Sequence, residues 1–167
     1  MAVGDGPVLD AEDERMLVTR LTRQVLADTA PEEIAAFDAY RAGFLTGGAV
    51  GEGHGREDPL GFGVEASGLL TPYVVVAATA AIRLLAATFP SAPGAEAKVA
   101  AATWLRRLLD GNGDISPSPS AVLARVREAT FQVCRRTGVD PADALLVSDA
   151  VVGRLSSSRT SVEHGGG

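Results

Sequence analysis

TPYVVVAATAAIRLLAATF, residues Thr71–Phe89, is the stretch whose reading decides the fold. Its opening, Val74-Val75-Val76, taken alone favours a strand, because β-branched side chains are stiff at χ1 and pack well on a pleated surface. Ala77, Ala78, Ala80, Ala81, Ala86 and Ala87 are strong helix formers, and the run is far longer than an ordinary strand. Thr71 can cap and Pro72 can occupy a first helical turn, while Pro90-Ser-Ala-Pro93 closes the segment. The stretch therefore predicts an apolar helix. From Leu69 to Phe89 it has 21 residues, close to the roughly 20 that cross a bilayer. Arg83 sits inside that run, at a cost of about 2.5–3.5 kcal/mol if it were at the membrane centre. A core helix whose Arg83 reaches the surface or a carboxylate is the preferred expectation, and a membrane-associated helix 69–89 is the competing one.

Working outward, five further segments carry helical spacing. From about Asp10 to Asp28, Leu17, Leu21 and Val25 recur at i, i+4 and i+8, with Glu12, Asp13 and Glu14 opposing the positive end of the helix dipole. Thr29-Ala-Pro-Glu32 has the spacing of a capping box for a second helix, with Ile34, Phe37, Tyr40 and Phe44 on one stripe. A fourth helix spans about Pro93 to Leu109, with Ala97, Ala101, Trp104, Leu105 and Leu108 on its inner face. A fifth runs from about Ser120 to Thr137 and stops at Gly138, and a sixth opens at Asp140-Pro141. The expected architecture is all-α, a bundle of about six helices. It divides into an acidic N-terminal helical hairpin at 1–46, a Gly-rich loop or linker at 47–63, a four-helix core at 64–157 and a flexible tail at 158–167.

Charge follows that division. The chain of 167 residues has a formal charge of −6, and residues 1–70 hold thirteen acids against five arginines, a net of −8. Residues 71–116 and 117–167 each net +1. The acidic stretch reads as a solvated face, or as an arm that meets a basic partner. Nucleic acid is not expected as a partner, since phosphate neutralisation needs clustered Lys and Arg. Cys134 is the single cysteine, which excludes an internal disulfide. Fourteen arginines against one lysine, with so much Ala and Gly, is the usage of a high-GC bacterial genome. The first residues lack a positive start followed by an apolar core, so a cytoplasmic location is expected.

Candidate chemistry lies in four places. In the Gly-rich loop, Glu52, His54, Glu57 and Asp58 fall within seven residues and carry the ligand types of a divalent-cation site. Arg135 to Ser148 has helix-turn-helix spacing, but Asp140, Asp143 and Asp149 on its second helix would repel phosphates. The stripe Phe37, Tyr40, Phe44 and the lone Arg83 are the candidate partner-binding residues. Arg159-Thr-Ser-Val-Glu-His164 has the spacing R-x4-H and resembles the ribonuclease motif of HEPN-type helical domains. Over these six residues the resemblance implies Arg159 and His164 as a catalytic pair facing a dimer cleft. No catalytic set, cofactor or metal is expected beyond these candidates. The expectation is a non-catalytic helical interaction module, or a small subunit or adaptor of a bacterial assembly, bound to another protein or to itself.

Overall fold

The computed structural model describes residues 9–46, 69–88, 95–111 and 119–160. Among these residues six α-helices form and no strand does: α1 Ala11–Thr29, α2 Ile34–Thr46, α3 Thr71–Thr88, α4 Ala95–Leu109, α5 Pro119–Arg136 and α6 Pro141–Thr160. The all-α expectation holds, and the triple valine lies inside a helix. Val74, Ala77, Ala78, Ala81, Ile82 and Leu85 recur at helical spacing and are buried, each fully removed from water. That is the geometric signature of one helix face set against a core. The proposed linker at 47–63 lies outside the described residues.

α3 is the central element. It packs against α1 and α5 on its two flanks and also touches α2, α4 and α6. α1 in turn packs on α3, α4 and α6. Leu17, Leu21, Val25 and Leu26 of α1 belong to the same apolar cluster as Leu105 and Leu108 of α4 and Val147, Val151 and Leu155 of α6. The acidic N-terminal hairpin thus docks on the later helices through its apolar stripe. Burying a Leu or Val side chain contributes about 1.5–3 kcal/mol, so the fully buried residues of α1 outweigh its surface polar contacts.

The connection between α1 and α2 differs from the expected capping box. Thr29 closes α1, and its hydroxyl donates to the Val25 carbonyl at 2.8 Å, so it is spent within its own helix. Pro31–Glu33 forms a 3₁₀ turn before α2. That turn carries Glu33 inward, where it is 7% exposed and meets the start of α3. Its carboxylate accepts from the backbone N–H of Leu70 at 3.0 Å and of Thr71 at 2.8 Å, and from the Thr71 hydroxyl at 2.5 Å. The orphan donors at the N-terminus of α3 are therefore satisfied by a side chain 38 residues earlier, rather than by a local cap.

The turn between α5 and α6 follows local chemistry. Gly138 has φ 90° and lies in the left-handed region. Gly138 N–H donates to the Arg135 carbonyl and Val139 N–H to the Cys134 carbonyl, both at 3.1 Å, the paired bonds of a Schellman motif. Val139 is 3% exposed and packs into the core. Asp140 then caps α6, accepting from the Ala142 N–H at 3.2 Å, with Pro141 in the first turn as expected.

Candidate functional site

A groove of about 390 Å³ lies over α3. α1 supplies Ala11, Glu14, Arg15 and Val18, which lie at i, i+3, i+4 and i+7 and so share one edge of that helix. α3 supplies the floor, Val75, Val76, Thr79, Ala80 and Arg83, and Val133 of α5 closes the opposite wall. The outward stripe of α3 is therefore Val76, Thr79 and Ala80, small side chains without a long group to cover the helix. Thr79 turns its hydroxyl back onto the Val75 carbonyl at 2.8 Å, so its donor is spent within the helix.

Arg83 stands at one end. Its Nε donates to Glu14 Oε1 at 2.6 Å, and its side chain is 70% exposed, against 18% for Glu14. The arginine inside the apolar helix thus reaches both a carboxylate and water. At that exposure the pair contributes about 0.2–1 kcal/mol. Arg15, one residue on, has no carboxylate partner among the described residues. With Glu14 and Arg83 paired, the groove carries a net positive charge in an acidic chain.

Asp10, which precedes α1, and three acids of α1 face cations of the same chain. Asp10 lies 3.7 Å from Lys98, Asp13 2.6 Å from Arg106, Glu14 2.6 Å from Arg83 and Asp28 2.8 Å from Arg154. Arg20 pairs with Asp110, and Arg23 lies 2.5 Å from Asp38 of α2. The surplus acid of the N-terminal region and the small cationic surplus of the later helices thus meet across the seams between elements.

The other candidate residues fall as follows. Phe37 is fully buried and belongs to the core, so this member of the expected partner-binding stripe is a packing residue. The side chains of Tyr40, Phe44 and Arg159 lie outside the described residues, as do His164 and the loop residues Glu52, His54, Glu57 and Asp58. Among the described residues no group of three or more His, Cys, Asp or Glu side chains is placed to hold a metal ion. Cys134 is fully buried, and burial pushes its thiol up to about 11, so it stays protonated and unreactive near neutral pH. Its sulfur lies 3.9 Å from the Tyr73 carbonyl.

Sequence reasoning did not single out Glu33 or the groove. Glu33 reads as one more acid in a first turn until the fold brings Thr71 to it. Val76, Thr79 and Ala80 are indistinguishable by type from the buried residues of the same helix. By fold and site the described residues form an all-α bundle with a partly covered, mainly apolar groove on its central helix. No protein-family model, curated protein or solved structure matches the chain.

Proposed function

We propose that the chain is a non-catalytic helical interaction module, a small subunit or adaptor of a protein assembly. The observation that carries this reading is the groove over α3. The most apolar helix of the bundle leaves its outward stripe, Val76, Thr79 and Ala80, only half-buried between α1 and α5, with charged side chains at the rim. Exposed apolar surface framed by polar residues is the usual form of a protein-binding site. Affinity capture from native lysate tests the reading. A stoichiometric protein partner is the expected result; a clean monomer with a measurable turnover overturns it.

A second reading places α3 at a membrane. Thr71–Thr88 is long and apolar enough by length and composition to cross one, with mean hydropathy 1.4, and half of that window is buried inside the bundle. Insertion would require α3 to leave the contacts with α1 and α5 that its buried half makes. Sedimentation with liposomes separates the two readings. Protein that stays in the supernatant and causes no vesicle leakage removes the membrane; co-sedimentation that protects α3 from proteolysis establishes it.

A further inference from the structure

The groove over α3 has a shape and a charge that together specify an occupant, and this inference rests on the interaction-module reading. We infer that it receives an amphipathic helix of a partner protein, apolar on one face and acidic along the edge that faces α1. The shape argument is that α1 and α5 flank α3 as two walls, and the floor residues Val76 and Ala80 are small. Small side chains on the floor let a further helix axis lie close, and helix packing needs interaxial distances of about 8–10 Å. A helix laid there extends the existing layer and covers the stripe that α3 leaves open, the helix-in-groove mode of recognition.

The charge argument concerns the rim. Arg83 is tied to Glu14 through Nε, and its side chain as a whole stays 70% exposed. Arg15 has no carboxylate partner among the described residues and lines the same edge of α1. The rim is thus cationic on a chain of net charge −6. Such a rim favours Asp and Glu on the incoming helix and disfavours Lys and Arg, so it sets orientation and partner choice. The same charge also favours the acidic first turn of α1 in a second copy, which makes self-association an outcome the test must resolve.

The test uses the full chain and two synthetic helical peptides that share one Leu/Ala face, one edged with Glu and the other with Lys. Binding is read by fluorescence anisotropy. The wild-type chain is expected to bind the Glu-edged peptide at least about tenfold more tightly. Arg15→Glu is expected to abolish that preference, and Ala80→Trp, which fills the floor, to weaken both peptides; circular dichroism confirms that each variant keeps its helices. Ala11→Cys carrying a benzophenone, at the exposed rim, maps the contact, since the native Cys134 is buried. Crosslinks from Ala11→Cys to the Glu-edged peptide support the inference. Equal affinity for the two peptides, no binding of either, insensitivity to Ala80→Trp, crosslinks to a second copy of this chain, or crosslinks only to lipid each overturn it. Retained capture of a native partner by Arg15→Glu and Ala80→Trp would overturn the groove assignment alone and leave the module reading standing. Failure of the wild type to capture any partner would remove that reading.

Discussion

Replacing Glu33 by Ala removes the acceptor for three donors at the start of α3: Leu70 N–H, Thr71 N–H and the Thr71 hydroxyl. Thr71 is 1% exposed, so water cannot replace the lost bonds without opening the bundle. An unsatisfied buried donor costs about 1–3 kcal/mol, and loss of a helix cap about 0.5–2 kcal/mol. These contributions overlap, because they count the same N–H groups twice, and a total of about 3 kcal/mol is the expected loss. Against a stability of about 5–15 kcal/mol that is a large fraction, and it should lower the melting temperature by roughly 6–12 °C. The assay is urea unfolding followed by far-ultraviolet circular dichroism, with the slope of the transition unchanged and its midpoint lowered. Glu33→Gln keeps one oxygen but turns an amide donor toward other donors, and should lose about half as much. In a double-mutant cycle, Thr71→Ala combined with Glu33→Ala should cost less than the sum of the two single changes. A Glu33→Ala protein within about 0.5 kcal/mol of the wild type would refute the assignment of this carboxylate as the cap of α3.

Gly138→Ala should destabilise by about 1–2 kcal/mol through its backbone alone, because φ is +90° and an added Cβ meets nothing within 4 Å; Gly138→Asn should recover part of that loss in the same denaturation assay. Thr22 is fully buried and its hydroxyl finds no hydrogen-bond partner among the described residues, so Thr22→Val should stabilise by about 1 kcal/mol, read as a raised midpoint, and a loss would show that the hydroxyl is satisfied. Burial pushes the Cys134 thiol up from its ordinary 9.0 to about 11. The unfolded chain therefore loses this proton first as pH rises. Stability from the group is complete below about pH 9 and declines between there and about 11, by roughly 3 kcal/mol at most. Cys134→Ala should flatten that alkaline limb while lowering stability at pH 7, and an unchanged limb would count against the buried thiol.

What the sequence made legible is what local chemistry decides. Alanine after Val74-Val75-Val76 outweighs the strand preference of the valines within one segment, and Gly138 followed by Asp140-Pro141 encodes a stop and a start within four residues. What it hid depends on partners far along the chain. Thr29 and Glu32 have the spacing of a capping box, yet the Thr29 hydroxyl is taken by Val25, and it is Glu33 that caps, in a different helix. The docking of α1 was hidden for the same reason. The acids at Asp10, Asp13, Glu14 and Asp28 find their cations 69 or more residues later, so the stretch looks unbalanced until the fold closes. The groove could not be read because α3 is built from the same small apolar residues on its buried and open sides. Only the positions of α1 and α5 separate those sides.

The pairing of α1 with α6 sets the order in which the protein can be finished. Arg154 reaches the Gln24 carbonyl and Asp28 across 130 and 126 residues of chain, and α1 packs along α6. During synthesis, at about 5–20 residues per second, roughly 6–25 seconds separate the emergence of these two contact points. Over that interval α1 has its stripe of leucines and valines and α3 its alanine face, with the last wall of the core still unmade. Whatever shields those surfaces in the nascent chain must release them when the sixth helix arrives, so completion of the fold waits on the synthesis of α6.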